Sequence, residues 1–169
     1  MDQPLAEQHA ALANTKAVIS DVDGVLTDGG IIRLADGTGG RIFNTKDGVG
    51  HKQLLKAGVK IAWISSTKER GSLEARAADL DVDVINTDIG PKDERLFRVC
   101  EQLGVEPKAC VFIGDDIIDL PVLGHVGLFV CPGDAHKDVR SKADIILEAG
   151  GGRGAFRELA DMVVDAKGE

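Results

Sequence analysis

No stretch of this chain is apolar over the roughly 20 residues that a bilayer-spanning helix requires, which excludes such a span. Cysteine is scarce. Cys100, Cys110 and Cys131 are odd in number and form no C-x-x-C pair, so neither a disulfide framework nor a zinc site is expected. Buried thiols in a reducing cytoplasm are the expectation instead. Positive charge is in deficit, with 20 Lys and Arg against 28 Asp and Glu and a net charge of −8. Such a surface repels nucleic acid and anionic lipid, and neither is expected as a partner. The segment MDQPLAEQHAALANTK lacks a basic start followed by an apolar core, so it does not read as a signal peptide. His9, His51, His125 and His136 are scattered without metal-ligand spacing, and surface or helix positions are expected for them. There is no repeat, no low-complexity tract and no linker that would divide the chain.

What remains is an ordinary globular composition, 43% hydrophobic and 28% charged over 169 residues. One domain is expected across 1–169, with the part up to Asn14 either a helix or a frayed tail. Apolar, β-branched runs at Ala17–Ser20, Val59–Ile64, Val82–Ile85, Ala109–Ile113 and Val126–Val130 read as short strands buried on both faces. Ile145–Leu147 is a sixth candidate. Helical patterns lie between them at Asp47–Lys56, Glu69–Leu80, Lys92–Leu103, Asp119–Leu123, Ala135–Lys142 and Ala155–Ala166. Strand–helix alternation implies a three-layer, Rossmann-like α/β fold, with a parallel sheet covered by helices on both faces. Residues 29–44 (GGIIRLADGTGGRIFN) break the pattern. Ile31, Ile32, Ile42 and Phe43 around an Asp-Gly turn predict a β-hairpin, far too short to be a cap domain.

In an open parallel sheet, ligands bind beyond the carboxyl ends of the strands. The residues there are Asp21 and Asp23 after the first run, Ser65, Ser66 and Thr67 after the second, Lys92 past the third, and Asp115, Asp116 and Asp119 after the fourth. Each piece alone has a plain structural explanation: a turn, a helix cap or a solvated side chain. Together they place several acids at one sheet edge, which repel unless a divalent cation sits among them. Phosphoryl transfer suits such a set. A carboxylate attacks phosphorus, a cation and a Lys neutralise the phosphate, a hydroxyl holds it, and a second carboxyl serves the leaving oxygen.

The pattern Asp21-x-Asp23-Gly24-Val25-x-Thr27, then Ser66, Lys92 and Gly114-Asp115-Asp116-x-x-Asp119, resembles the four motifs of the haloacid dehalogenase superfamily. The segments DVDGVLTDG, FNTKDGVGHKQLLKAG, GDDIIDLPVL, VGLFVCPGDAH and GGRGAFRE are similar to its capless 3-deoxy-D-manno-octulosonate 8-phosphate phosphatases. The resemblance implies a Mg2+-dependent hydrolase of that sugar-acid phosphate, working through an aspartyl-phosphate. It implies Asp21 as nucleophile and metal ligand, and Asp23 as acid/base with its carbonyl on the metal. Asp115 is then the remaining protein ligand, with Asp119 hydrogen-bonding toward the site and Asp116 near the metal or its waters. Ser66 and Thr67 are implied in phosphoryl binding, and Lys92 in phosphoryl binding and in restraining Asp21. The resemblance further implies a homotetramer whose neighbours close the open sites, with Ile31, Ile32 and Phe43 buried between subunits. Packing of these three on their own core is the alternative.

The chain departs from the family where Thr-Gly-Arg is usual and Ser66-Thr67-Lys68 stands instead, and where Pro91 precedes Lys92. The hydroxyl survives, but Lys68 lacks an Arg fork for a carboxylate or sugar. SSTKERG is also similar to phosphatases of nine-carbon acylneuraminate-type sugars, an alternative substrate class. Two non-enzymatic readings stand beside these. A phosphorylation-driven receiver module would carry its acidic pair after the first strand, whereas here the pair GDD comes after Lys92. A degenerate scaffold would lack catalytic groups, and here all are present. Lys46 or Arg157 could meet a substrate carboxylate, Asp47 reads as a helix N-cap, and Trp63 as core.

Overall fold

A computed structural model describes residues 3–168. Its centre is a six-stranded sheet in the order β5-β4-β1-β6-β7-β8, comprising β1 (Ala17–Ser20), β4 (Lys60–Ile64), β5 (Val84–Asn86), β6 (Cys110–Ile113), β7 (Leu128–Cys131) and β8 (Ile145–Ile146). Every pairing in it is parallel. The chain leaves β1 toward β4 on one side and returns to β6 on the other. This reversal of strand order opens a crevice at the carboxyl end of β1, where doubly wound sheets bind ligands.

Each strand is apolar on both faces because each face has its own helical layer. Val18, Ile61, Trp63, Val111, Ile113, Leu128 and Val130 point to one core. That core is completed by Leu12 of α1 (Gln3–Ala13), Leu54 of α2 (Thr45–Lys56), Leu73 of α3 (Gly71–Asp79) and Phe156 and Leu159 of α6 (Ala155–Lys167). Ala17, Ile19, Ala62, Ile64, Phe112 and Phe129 point the other way. They meet Leu96, Val99 and Leu103 of α4 (Lys92–Leu103) and Val139 of α5 (Lys137–Arg140). Alternate residues of one strand therefore serve two cores, the signature of a three-layer α/β fold.

The stretch up to Asn14 is helical as α1, because Leu12 finds apolar cover against the core shared with α6; Met1 and Asp2 lie outside the described residues. The helix expected at Asp119–Leu123 is a 3-10 turn, Ile117–Val122, since Pro121 inside it lacks an amide for α-helical bonding. The hairpin pairs β2 (Ile32–Arg33) with β3 (Gly39–Gly40) in antiparallel fashion. Within one chain Ile31 is 84% exposed and Ile32 is exposed, whereas Phe43 packs on the first core and stacks on Trp63 at 6.1 Å. No helix among the described residues is long and apolar enough to cross a membrane.

The α2–α6 interface carries a buried polar pair that corrects one sequence expectation. Asn44, not Asp47, caps α2, its side chain accepting from the Lys46 amide at 2.9 Å. Asp47 instead accepts the Arg157 amide at 2.9 Å, capping α6, whose own N-cap Gly154 has no side chain to do so. His51 takes the helix position expected of it, on α2, with its ring fully buried. The Trp63 indole donates to its Nε2 at 3.0 Å, so Nδ1 carries the proton and donates to the Asp47 carbonyl at 2.7 Å. Burial lowers its pKa to about 4 from 6.5, and burial raises that of Asp47 to about 6 from 3.8.

The two shifts act on stability with opposite sign. As pH falls from 6.5 toward 4, the unfolded chain gains a proton on His51 that the folded chain refuses, and stability drops. Between 3.8 and about 6 the folded chain keeps a proton on Asp47 that the unfolded chain sheds, so this contribution is present at low pH and lost as pH rises. The two offset each other in the overlap. Asp47→Asn keeps a cap acceptor but removes the second effect. We expect its melting temperature to fall more steeply than the parent's from pH 6.5 to 4.5, with an extra loss of about 2 kcal/mol. Parallel pH–Tm curves would refute this.

Candidate active site

The crevice beyond β1 is built by close approach of three backbone turns. The Asp21 amide donates to the Ile113 carbonyl at 2.9 Å, and that of Gly114 to Val130 at 3.1 Å, holding the ends of β1, β6 and β7 together. Gly24 sits at φ +104°, and a Cβ there would overlap the Asp115 carboxylate. A Cβ on Gly114 would lie 2.6 Å from the Asp119 carboxyl carbon. Glycine at both positions is thus a steric condition of bringing the acids together.

The Lys92 ammonium, from the first helical residue of α4, projects under this cluster with its side chain 2% exposed. It donates to Asp21 Oδ1 at 2.7 Å and to Asp119 Oδ1. Asp119 Oδ2 accepts the amides of Asp115 at 3.0 Å and Asp116 at 3.1 Å, which shapes the acidic turn. Asp116 caps the 3-10 turn through the Ile117 amide at 2.6 Å and is exposed.

Carboxylate oxygens of Asp21, Asp115 and Asp119 all lie within 4.8 Å of one another. One ammonium faces three carboxylates, and Asp115 Oδ1 is buried without a hydrogen-bond partner. Burial, then Asp21 and Asp119, push the Asp115 pKa to about 8. Burial also raises that of Asp21, which Lys92 counters, leaving it at about 6. Burial opposes the Lys92 charge, but Asp21 and Asp119 outweigh it and the ammonium stands above its ordinary pKa. The set is short of positive charge by about one divalent ion. Hard oxygen donors and a buried orphan oxygen fit such an ion, with Asp21 and Asp115 the better donors because Asp119 is already engaged on both oxygens.

The other half of the crevice is basic and hydroxyl-rich. The Asp23 carboxylate turns toward the hairpin, where Arg41 grips it through Nε at 2.7 Å and Nη2 at 3.1 Å. The buried Ser65 hydroxyl stands 3.4 Å from Asp23, while Ser66 is exposed toward the crevice. Arg41 also donates to Thr67 Oγ1 at 2.7 Å and to Glu69, so the Thr67 hydroxyl is tied into the loop. A cavity of about 260 Å³ opens here, walled by Asp23, Ser66, Thr67, Lys68, Arg33 and Arg41. The structure thus gathers Asp21, Lys92, Asp115 and Asp119 in one group, and Asp23, Ser66 and Thr67 around the adjoining cavity. Arg157 spends its Nε on Asp161 at 2.8 Å.

Two residues escaped sequence reading. Arg41 lies at the hairpin's end with no periodic signal. Arg95, fully buried, comes three positions after Lys92, and that i,i+3 spacing was the available clue that both share one helix face.

Replacing Gly24 with Ala is expected to weaken divalent-cation binding about tenfold or more and to lower the melting temperature, since strain at such a backbone angle costs about 1–3 kcal/mol even before the clash. Calorimetric titration of the cation checks this, and an unchanged affinity would contradict it.

The comparisons agree with this geometry. Residues 50–127 match the family model of haloacid dehalogenase-like hydrolases. The 3-deoxy-D-manno-octulosonate 8-phosphate phosphatase KdsC of Haemophilus influenzae is 37% identical over 158 residues, covering 94% of this chain and 87% of that one. The crystal structure of the Yersinia pestis 3-deoxy-D-manno-octulosonate 8-phosphate phosphatase superposes with a TM-score of 0.92 at 33% identity, covering 96% of this chain and 87% of the other. That of the Moraxella catarrhalis 3-deoxy-D-manno-octulosonate 8-phosphate phosphatase, in complex with magnesium, phosphate and KDO, gives 0.92 at 29% identity, covering 97% and 94%. With its motifs on the strand ends where that chemistry needs them, and with no cap over the sheet among the described residues, the chain belongs to the haloacid dehalogenase-like hydrolases, among their capless phosphoric monoester hydrolases.

Proposed function

We propose that the protein is a magnesium-dependent phosphatase of 3-deoxy-D-manno-octulosonate 8-phosphate that works through an aspartyl-phosphate. The observation that carries this reading is the convergence of Asp21, Asp115 and Asp119 on one another, two of them bound by the buried Lys92, with Asp115 Oδ1 left without a partner. The Moraxella catarrhalis relative supports the substrate, since it holds magnesium, phosphate and the sugar acid in the same fold.

Magnesium, held by Asp21, Asp115 and the Asp23 carbonyl, would offset the carboxylate charge and the phosphate charge together. Asp21 attacks phosphorus. The new O–P bond forms as the bond to the sugar oxygen breaks. Lys92 holds one oxygen of Asp21 at 2.7 Å, which fixes the attack geometry, and its charge faces the phosphoryl oxygens. Asp23 gives a proton to the departing sugar oxygen, then takes one from the water that hydrolyses the aspartyl-phosphate. Arg41 sets its orientation from the hairpin side. Ser66 donates to a phosphoryl oxygen, with Thr67 in the same loop, and Asp116 and Asp119 shape the metal turn.

The cavity beside Asp23 is walled by Arg33 and Lys68, which suits a sugar that carries a carboxylate. A nine-carbon acylneuraminate-type 9-phosphate is the second reading, favoured by the likeness of the segment SSTKERG to phosphatases of those sugars. The open cavity and the exposed Ile31, Leu34 and Ile42 of the hairpin support a homotetramer whose neighbours cover the sites, and we propose the cytoplasm as its compartment. Light scattering that gave a monomer would remove that part.

Asp21→Asn is expected to cut phosphate release on the order of 10⁴-fold or more while leaving the fold intact. Across a panel of eight- and nine-carbon keto-acid sugar phosphates, the eight-carbon substrate should give the highest kcat/KM. Full turnover by Asp21→Asn, or a preference for p-nitrophenyl phosphate over every sugar acid, would overturn the assignment.

A further inference from the structure

After Trp63, Arg95 is the largest fully buried side chain among the described residues. Its guanidinium makes four hydrogen bonds. Nε donates to Asn86 Oδ1 at 2.8 Å, Nη2 to the Asn86 carbonyl at 3.0 Å and the Ser65 carbonyl at 2.7 Å, and Nη1 to Ser66 Oγ at 2.8 Å. None of these acceptors is a carboxylate. Asp88, Asp21 and Asp119 act on the charge only through space, against the burial that disfavours it. A buried cation without a paired anion is costly unless something nearby makes use of it.

Three of the four bonds have a structural use. They tie the carboxyl ends of β4 and β5 to the first turn of α4. The fourth does not fit that role, because Ser66 is exposed and lines the cavity beside Asp23. A strand-end staple gains nothing by reaching an exposed hydroxyl. A hydroxyl has one proton to give and lone pairs to accept with. With Nη1 occupying one lone pair from beneath, the Ser66 proton is free to turn to the cavity and meet an acceptor there.

We propose that Arg95 is a positioning residue for phosphoryl binding, fixing Ser66 Oγ from below so that its hydroxyl proton is donated to a phosphoryl oxygen. The inference rests on the reading of Ser66 as a phosphoryl ligand. Arg95 also adds an unpaired positive charge beneath the dianion. Lys92, three residues earlier on the same helix face, supplies the second charge, so the first turn of α4 presents two cations to one group.

A double-mutant cycle separates this role from a purely structural one. Inorganic phosphate binding is measured by calorimetry on the full chain in excess magnesium, for the parent, Ser66→Ala, Arg95→Met and the double variant, with melting temperatures alongside. Ser66→Ala and Arg95→Met should each weaken phosphate binding by roughly tenfold, the loss expected of one hydrogen bond to a charged group. In the Ser66→Ala background, Arg95→Met should cost no more than about twofold further. Arg95→Lys keeps the charge, so it should recover part of the affinity, and it replaces Arg95→Met in the cycle if that variant does not fold. Fully additive losses, or an Arg95 effect that tracks melting temperature alone, would reduce Arg95 to a staple and overturn the proposal. Unchanged phosphate affinity in Ser66→Ala would overturn the reading of Ser66 itself and take the proposal with it.

Discussion

Everything at this site depends on holding like charges together. Asp21, Asp115 and Asp119 place carboxylate oxygens within 4.8 Å of one another at one sheet edge, with a single buried ammonium between them. In water such a group would spread apart. Here the backbone forbids it. Asp21 hangs from β6 by its amide, Asp119 is held by two amides of the acidic turn, and two glycines let the turns approach closer than any side chain would allow. Burial first, and the mutual repulsion second, appear in the raised Asp115 and Asp21 pKa values.

The strand order then sorts charge across the crevice. β6, on one side of β1, delivers Asp115 and Asp119. β4 and β5, on the other side, deliver Ser66 and the loops fastened by Arg95. Lys92 reaches between the halves. A phosphate monoester has an anionic group that needs cations and donors, and an attacking carboxylate needs its own charge offset. A switch-point crevice with acids on one lip and bases on the other meets both needs at once. The hairpin adds a further control, since Arg41 joins Asp23 to Thr67 and Glu69 and so links the orientation of the acid/base to the substrate cavity.

Much of this was legible without coordinates. Ala17–Ser20 and Lys92–Leu103 are found as read, because a doubly buried strand and an amphipathic helix advertise themselves through spacing. The acids, the hydroxyls and Lys92 stand at or shortly past the ends of apolar runs, positions that a local pattern marks. Other features were not legible. Asp47 caps a helix more than a hundred residues away instead of its own, and His51 is buried by packing against Trp63 and Phe156. Ile31 and Ile32 face solvent within one chain while Phe43 does not, a split that hydrophobicity alone does not forecast.

By itself the sequence determined the layer order of the fold and which residues end each strand, since both arise from local periodicity and the short reach of a turn. The tertiary structure alone decided which of those residues meet. It set Asp119 on Lys92 and the amides of the acidic turn, turned Asp23 toward Arg41, and buried Arg95 beneath Ser66. Contacts between strand ends distant in sequence depend on register and on the position at which the strand order reverses. No local pattern encodes either.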